Sequence, residues 1–523
     1  MNAHETERVN DEVQHHEVRK QPALLERYAG EVESQLLCFD RLILQGTLVD
    51  VGYPAALTKS LYAAGLSVAD LTAFATPLRD EICANAEALA RAHGAEIEFV
   101  QRKNFRQEKR VAEVWARRGR HPGLVHVFRV KERARVYDLR RYGEDQVRLL
   151  QRSGQCLHFY FYFLHERLGL LYVRVPTWLP FGLQVYLNGH SVLARSLAQA
   201  GSEHELCDNA FLQLAEPARA QTLSDTLASK TLHAELAALA QLCCPPSTRF
   251  RGGYHWSFVQ VEYSWDVGFR TPAVVETLFE ELARAALLTV RCEEVARFWG
   301  KPLSAQHDTE LSSHFGGRAP AVRRRPRRGP ASWKLYTKEH RILRLEGTCY
   351  DVTFFRHHRE VVHADGSQED KVAPMKKGLH SLAALRELRR ASLERYLAWL
   401  GTLTEHSLGQ RRIDRLGEAR RDQAQRSYRA WNLFRLDDRE ILRTTARGEF
   451  AAAGLSARQL RELLPAWKSS RLSRALKRLR VHGLLKKIGR TYRYYLTKLG
   501  RALTLTALRL HEQIVLPTLA TPA

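Results

Sequence analysis

The stretch from residue 456 to residue 501 constrains the fold of this chain most, because two segments of helical period precede two short β-like segments. Ser456 stands three residues before Gln459, the spacing at which each side chain satisfies a free backbone N–H at the start of a helix. Leucines 460, 463 and 464 give this helix an apolar face, and Pro465 would end it.

A second helix is predicted to begin with Ser469 or Ser470 as its N-cap and to end at Gly483. Leucines 472, 476 and 479 fall on one stripe, and cations occupy the rest of the surface. Residues 484–488 and 491–496 read as a β-hairpin around a Gly489-Arg490 turn. This order predicts a C-terminal winged helix-turn-helix. Its candidate nucleic-acid-binding residues are Arg471, Arg474, Lys477, Arg478, Lys486, Lys487, Arg490 and Arg493.

The charge of this module indicates a polyanionic partner. Residues 468–501 hold twelve Lys or Arg and no Asp or Glu, so their self-repulsion is uncompensated within the segment. Residues 441–523 hold 17 basic and 3 acidic residues, a net +14 within the +24 of the whole chain. We therefore predict nucleic-acid binding, with DNA favoured over RNA and over a membrane surface. The pattern is compatible with a homodimer, and with transcription regulation or mobile-element or replication biology.

The chain as a whole is predicted to be an α+β multidomain protein, with a mixed α/β N-terminal region ahead of the winged module. Its 523 residues allow several domains. The predicted boundaries are 1–25 for a disordered tail, 26–150 for an α/β domain, 151–315 for a sheet-and-helix domain, 316–332 for a linker, 333–440 for a β-hairpin with long helices, and 441–515 for the winged helix-turn-helix.

The predicted linker is rich in arginine, proline and glycine, a composition typical of a flexible arm that contacts phosphates. Its candidate nucleic-acid-binding residues are Arg323, Arg324, Arg325, Arg327 and Arg328.

A strand predicted over residues 156–165 alternates tyrosines with phenylalanines, so that Tyr160 and Tyr162 share one face. An aromatic sheet face can stack unpaired bases, which makes an RNA-binding protein an alternative. The other interpretation is that both faces are covered and the rings are core.

Five carboxylates lie in strand-like segments and are catalytic candidates: Asp40, Glu262, Asp266, Glu346 and Asp351. Acidic groups on adjacent strands can hold two Mg²⁺ ions for phosphoryl displacement, so a metal-dependent nuclease or transposase-like strand-transferase is a further alternative. Each carboxylate also has an arginine near it in sequence, so the other interpretation is that these carboxylates form buried ion pairs. Motifs of other enzyme classes are absent, and we expect no enzyme, no metal site and no cofactor unless the nuclease alternative holds, in which case Mg²⁺ is required.

Eight scattered cysteines without a C-x-x-C pair indicate buried thiols in a reducing compartment. No long apolar run and no signal-like segment occurs, so the expected location is the cytoplasm.

Several segments resemble one family of bacterial proteins of about 500 residues. These segments are residues 38–46 (CFDRLILQG), 171–181 (LYVRVPTWLPF), 186–190 (YLNGH), 254–257 (YHWS), 343–346 (LRLE) and 482–487 (HGLLKK). Members of that family are sometimes labelled MarR-type regulators because of a C-terminal winged helix. The resemblance implies DNA binding by residues 456–501, and it covers most of the chain from residue 30 onward.

Overall fold

The computed structural model describes residues 23–101, 105–118, 121–142, 146–289, 309–314, 321–326, 330–363, 365–404, 407–450, 454–489 and 491–520. The chain falls into two compact units, residues 1–404 and 405–523, each described by itself below. Helices and strands are mixed throughout, as the predicted α+β class requires.

The strands, numbered in chain order, are β1 Val32–Leu48, β2 Ile97–Val100, β3 Gly123–Tyr142, β4 Gln146–His165, β5 Gly169–Pro176, β6 Leu183–Leu187, β7 His204–Cys207, β8 Ala210–Leu214, β9 Tyr254–Phe269, β10 Thr309–His314, β11 Ala321–Pro326, β12 Ala331–Lys338, β13 Ile342–Cys349, β14 Arg356–Val362, β15 Gln368–Pro374, β16 Arg420–Arg421, β17 Ser427–Tyr428, β18 Leu485–Lys487 and β19 Tyr494–Leu496.

The α-helices are α1 Ala23–Arg27, α2 Val49–Gly52, α3 Pro54–Ala63, α4 Leu71–Ala92, α5 Gln107–Arg118, α6 Gly189–Gln199, α7 Pro217–Asp225, α8 Ser229–Cys243, α9 Pro272–Thr289, α10 Leu382–Thr404, α11 Ser407–Gly417, α12 Leu436–Thr445, α13 Ala457–Leu463, α14 Ser469–Val481, α15 Lys498–Arg509 and α16 Leu516–Ala520.

The first unit is built on one large sheet. Within the described residues, eleven strands follow the order β10-β11-β12-β13-β9-β1-β6-β5-β4-β3-β2. Strands β2 and β3 run parallel, and the other neighbouring pairs are antiparallel. Strand β1 lies in the interior of the sheet, between β9 and β6.

The two faces of this sheet are covered differently. Helices α4, α8, α9 and α10 supply leucines, isoleucine and valine to the main core, which they share with one face of the strands. On the opposite face, α6, α7 and β8 cover the start of β1, and α5 covers the part of β3 and β4 that meets β2. On the same face, polar and tyrosine side chains lie between the area packed by α6, α7 and β8 and the area packed by α5.

The continuous sheet differs from the predicted domain boundaries. Residues 26–150, 151–315 and 333–349 all contribute strands to it, so boundaries at 150, 315 and 332 fall inside one unit. Hydrogen bonding between distant strands decides this, and sequence composition carries no record of such pairing. The predicted hairpin after residue 333 is present as β12 and β13.

The predicted disordered tail also needs correction at its end. Residues 23–25 belong to α1, where Leu24 and Leu25 are buried in the main core. Residues 1–22 lie outside the described residues.

The second unit has its own apolar core, formed by side chains from α11 to α14, β18 and the segments between them. Its start at residue 405 lies well before the predicted boundary at 441. The difference arises because Leu416 and Trp431 pack into the same core as α13 and α14.

None of the described helices is by itself long and apolar enough to cross a membrane, and one bent pair, Pro54–Ala63 with Val68–Ala92, meets the length and composition criteria together.

Candidate functional site

Helix α13 begins as the sequence predicts. The Ser456 hydroxyl accepts a hydrogen bond from the Gln459 backbone N–H at 3.2 Å, and the Gln459 side chain accepts one from the Ser456 N–H at 3.0 Å. Helix α14 follows after a five-residue connection, but its N-cap is Lys468 and no serine side chain caps it. The two helices therefore occupy the predicted segments.

Helix α14 has one packed side and one open side. Leu472, Leu476 and Leu479 are buried in the core of the second unit. Arg474 and Arg480 are exposed, and neither forms an ion pair with any residue in the described part of the chain. These two arginines are therefore available to an anionic ligand.

Arg478 is a correction to the predicted interface. Its side chain is buried and forms two hydrogen bonds to the Asp438 carboxylate, at 2.7 and 2.9 Å. It also donates to the backbone oxygens of Arg429 and Ala430 and lies over the Trp431 ring at 3.7 Å. Arg478 thus joins α14 to α12 and to the segment before α12, and it cannot reach a ligand.

Two other predicted contacts of α14 are paired but remain partly exposed. Arg471 forms an ion pair with Asp437 at 2.7 Å and stacks on the Trp467 ring at 3.8 Å. Lys477 lies 3.6 Å from the Asp422 carboxylate. The Arg471–Asp437 pair is accessible to solvent on both sides, so it is worth little and can exchange for a phosphate, whereas the Asp422 side chain is largely buried and only Lys477 faces solvent in the second pair.

The hairpin of β18 and β19 supplies further cations. Lys486 and Lys487 are exposed, and Lys487 lies 5.4 Å from the centre of the exposed Tyr492 ring. Arg493 is exposed and donates to the Gly454 backbone oxygen at 3.2 Å. Arg490, at the predicted turn, lies outside the described residues. The carbonyl of Leu455 accepts from the N–H of Tyr494, which adds a third short extended segment beside β19.

The predicted arginine-rich linker is a strand where it is described. Residues 321–326 form β11, which pairs with β10 on one side and β12 on the other. Arg323, Arg324 and Arg325 therefore lie in the sheet, because strand pairing outweighs the flexible composition of the segment, and Pro326 stands at the strand end. Arg327 and Arg328 lie outside the described residues.

In the sheet, three of the predicted carboxylates converge. Asp40 on β1, Glu262 on β9 and Glu346 on β13 are buried, and they offer oxygen atoms within 4.8 Å of one another. Between Phe39 and Arg41 the register of β1 against β9 shifts, as at a β-bulge. The irregularity places Asp40 and Arg41 on the same face of the sheet, beside Glu262.

These carboxylates are already paired with cations. Lys334 donates to Glu346 at 2.5 Å, and Arg41 lies 3.4 Å from Glu262. Arg344, itself fully buried, lies 3.4 Å from Asp40. Three carboxylates suit a divalent ion, but an ion here would have to compete with these cations. In this structure the three carboxylates therefore form buried ion pairs, which is the second of the two interpretations that the sequence allowed.

The fourth predicted carboxylate, Asp266, lies next to this cluster and binds Arg344 at 2.6 and 2.5 Å. Burial alone would raise the pKa of Asp266, but the Arg344 charge and the His190 hydrogen bond outweigh burial and hold it below its usual value. The fifth, Asp351, accepts from the Thr353 N–H and lies near Lys377, and it does not join the cluster.

His190 belongs to this network, and sequence reasoning missed it. Its Nδ1 lies 3.2 Å from Asp40 and its Nε2 3.4 Å from Asp266. Gly189 lets α6 approach β1, because a Cβ there would lie 2.0 Å from the Phe39 carbonyl oxygen. Asn188 fixes the approach by donating to the Asp40 carbonyl at 2.9 Å. The Asn-Gly-His run was the available signal.

The network divides the carboxyl groups by their pKa values. Burial would raise the pKa of Asp40, but hydrogen bonding from His190 and the charge of Arg344 keep it well below its ordinary value. Burial and the nearby charge of Glu346 raise the pKa of Glu262. Burial would lower the pKa of His190, but its bonds to Asp266 and Asp40 raise it overall.

The tyrosine face proposed for RNA is partly open. Tyr160, Tyr172 and Tyr186 lie on adjacent strands and are half-buried, and the last two stack with ring centres 5.3 Å apart. Tyr162 is buried against α5, and its hydroxyl donates to Gln107 at 3.0 Å. The phenylalanines of the same strand lie in the core. Tyr160 thus lies on a partly open face of the strand, whereas Tyr162 and the phenylalanines are core.

Comparison of the chain with protein-family models, with curated proteins and with solved structures finds no match.

Proposed function

We propose that this chain binds double-stranded DNA through a winged helix-turn-helix in its second unit, with α14 as the recognition helix and the β18–β19 hairpin as the wing. The order of elements supports this proposal. Helix α12 precedes a short extended segment at Leu455, then α13, α14 and the hairpin follow, and Leu455 bridges to the hairpin through Tyr494.

One observation carries the proposal: the exposed cations Arg474, Arg480, Lys486 and Lys487 lie on a helix and an adjoining hairpin, in a segment with no acidic residue from 464 to 511. A helix of this kind fits the major groove, and the hairpin cations can reach phosphates or the minor groove. Arg471, in the first turn of α14, is placed where recognition helices contact base edges. In this proposal Arg478 serves the fold only.

The biological setting follows from DNA binding and is part of the same proposal. A transcription regulator of the MarR type, or a mobile-element or replication protein, acting in the cytoplasm, would use such a module. Four apolar side chains that are exposed on α15, on α16 and between them are compatible with a homodimer: Leu505, Ile514, Leu516 and Leu519.

The test compares two triple variants of the full-length chain. Arg474→Gln/Lys486→Gln/Lys487→Gln removes three cations of the proposed interface. Arg412→Gln/Arg415→Gln/Arg421→Gln removes three exposed cations elsewhere in the same unit. Binding to mixed-sequence duplex DNA is measured by fluorescence anisotropy across a salt series.

We expect the interface variant to weaken binding and to flatten the plot of log K against log salt by about 0.9 for each lost phosphate contact. The control variant should keep the wild-type slope. Equal slopes for the wild-type chain and both variants would refute the proposal, as would the absence of duplex binding by the wild-type chain.

A further inference from the structure

The hairpin of β3 and β4 extends beyond the rest of the sheet. Each strand has 20 residues, but β2 pairs with β3 only as far as Val130, and β5 pairs with β4 only from His158 onward. Residues 131–142 of β3 therefore form a two-stranded ribbon with β4, about 40 Å long at about 3.3 Å per residue.

Four cations occupy alternate positions along β3: Arg129, Lys131, Arg133 and Arg135. All four are exposed, and alternation places them on one face of the strand. Their spacing is about 6.7 Å, so the row spans about 20 Å, the length of about six base pairs. We call these four residues the basic ladder.

On the two strands of the ribbon, the described side chains of the face that carries the basic ladder have charge of one sign. Across the ribbon, Lys131 lies opposite Leu157, Arg133 opposite Gln155 and Arg135 opposite Ser153, all uncharged. In the part of the chain that the structure describes, no ion pair is formed by a ladder residue. Arg129 lies over the exposed Phe99 ring at 5.2 Å.

The acidic side chains of β3 and β4 lie on the other face of the ribbon. These are Glu132 and Asp138, both at even positions. Glu132 accepts from Arg174 at 2.6 Å and from Tyr160 at 2.9 Å, and Asp138 pairs with Arg152 at 2.8 Å. The two faces thus have opposite electrostatic roles: one is neutralised internally and the other is not.

Protection of an exposed edge does not explain this arrangement. Charges on edge strands prevent pairing with another chain, and charges of either sign do so. A row of one sign with no counter-charge costs self-repulsion that a polyanion would relieve. Two-stranded β-ribbons are also a known form of groove-binding element in DNA-binding proteins.

We infer that the basic ladder is a second nucleic-acid contact, in the first unit, which binds the phosphate backbone of DNA. It is separate from the winged helix-turn-helix proposed above and does not depend on it. The ladder supplies affinity without base readout, because phosphate contacts position a protein on DNA and carry no sequence information.

The experiment uses the full-length chain with four ladder substitutions, Arg129→Gln/Lys131→Gln/Arg133→Gln/Arg135→Gln. The matched control, Lys230→Gln/Arg251→Gln/Arg270→Gln/Lys376→Gln, removes four exposed cations of the same unit that lie off the hairpin. Both are compared with wild type on duplex and single-stranded DNA of mixed sequence across a salt series, after circular dichroism confirms folding.

If all four cations meet phosphates, the salt slope on the preferred DNA should fall by about 3.6, four contacts at about 0.9 each, and the control should keep the wild-type slope. The DNA form, duplex or single-stranded, on which the salt slope changes more is the one whose phosphates the ladder contacts. The same fall in salt slope should appear when the ladder substitutions are added to the Arg474→Gln/Lys486→Gln/Lys487→Gln variant. The experiment therefore tests the basic ladder even if the winged-helix proposal fails.

A slope equal to wild type on both DNAs, or a change no larger than that of the control, would overturn the inference. Loss of binding to phosphatidylserine vesicles with unchanged DNA binding would also overturn it and would assign the ladder to a membrane surface. A photo-crosslinker at Ser153, on the ladder face, should label DNA more strongly than one at Leu150, on the opposite face. Equal labelling from both positions would contradict the assignment of the face.

Discussion

The Arg478 guanidinium and the Asp438 carboxylate form a two-pronged ion pair inside the second unit, with donor–acceptor distances of 2.7 and 2.9 Å. Burial would raise the pKa of Asp438, but its bonds from Arg478 and Arg429 hold it below the ordinary value. The pair joins α14 to α12 and positions the open side of α14. Arg478, which the sequence analysis assigned to DNA binding, thus stabilises the fold of the second unit.

We therefore expect Arg478→Gln to destabilise the second unit by about 3–5 kcal/mol, since the Asp438 carboxylate would be left buried with one arginine fewer. Arg474→Gln, on the exposed side of the same helix, should change stability by no more than roughly 0.5 kcal/mol and should weaken DNA binding. Denaturant unfolding followed by tryptophan fluorescence distinguishes them. A wild-type unfolding curve for Arg478→Gln would contradict this assignment.

The buried carboxylates of the sheet should respond to pH with opposite signs. The folded-state pKa of Asp40 is depressed, so its ionised form stabilises the fold above the unfolded-state pKa of about 3.9, and this contribution is lost as pH falls through the folded-state pKa. The folded-state pKa of Glu262 is raised, so its contribution is complete below about 4.3 and is lost as pH rises through the folded-state pKa.

Asp40→Asn should therefore lower stability at pH 7 by about 3–5 kcal/mol, and Glu262→Gln should maintain or raise it. The difference between the two variants should narrow toward pH 4. Urea unfolding at several pH values measures both effects. Equal destabilisation by both substitutions at pH 7 would show that the pKa directions are wrong.

Divalent cations test whether the cluster of Asp40, Glu262 and Glu346 can act as a metal centre. Because Lys334 already lies 2.5 Å from Glu346, we expect millimolar Mn²⁺ or Mg²⁺ to leave the wild-type melting temperature unchanged. Lys334→Met removes that cation and should create a melting temperature that rises with Mn²⁺. The matched control is Lys376→Met, at an exposed site away from the cluster.

Stabilisation of the wild-type chain by Mn²⁺, abolished by Glu346→Gln, would contradict this expectation. It would support the nuclease alternative, for which DNA and RNA cleavage with Mg²⁺ and its loss in Asp40→Asn are the direct assays.

Arg389 provides a test of core energetics. Its side chain is fully buried over Trp333 and Phe355, at 5.0 and 5.2 Å, and its three guanidinium nitrogens donate no hydrogen bond to any of the described residues. Burial lowers its pKa. Gly347 provides the space, because a Cβ there would collide with Nη2.

Arg389→Met should therefore be neutral or stabilising, since it replaces a buried charge with an apolar side chain of similar length. Gly347→Ala should be destabilising in the wild-type chain and much less so with Arg389→Met, which gives a measurable coupling in a double-mutant cycle. Additive effects of the two substitutions would argue against the contact.

Local patterns predicted the individual elements well. The capping pair Ser456 and Gln459, the leucine stripe of α14 and the strand over residues 156–165 all depend on neighbours within a few residues, and all are confirmed. Global pairing was not predictable in the same way. The sheet joins β13 to β9 across more than 70 residues, and no local signal records such a partner.

Predictions for individual site residues differed from the structure for the same reason, because the deciding partners are distant in sequence. Arginine is usually exposed, so only the partner Asp438, 40 residues earlier, reveals that Arg478 is buried. The convergence of Asp40 with Glu262 and Glu346 depends on a bulge in β1 and on two strand registers, which the sequence leaves open. The ribbon of β3 and β4 was missed because polar residues occur on both of its faces, so its strands lack the regular alternation of apolar and polar residues that marks a half-buried strand.

The interior position of β1 has a consequence for how the chain is made. Its two neighbours, β6 and β9, are encoded well downstream, so the ribosome must produce about 270 residues before β1 has hydrogen-bonding partners on both edges. Until then its apolar side chains are exposed in the nascent polypeptide, a state prone to aggregation. Chaperone dependence during synthesis should therefore centre on the first unit, while the second unit, whose contacts are nearer in sequence, folds soon after it emerges.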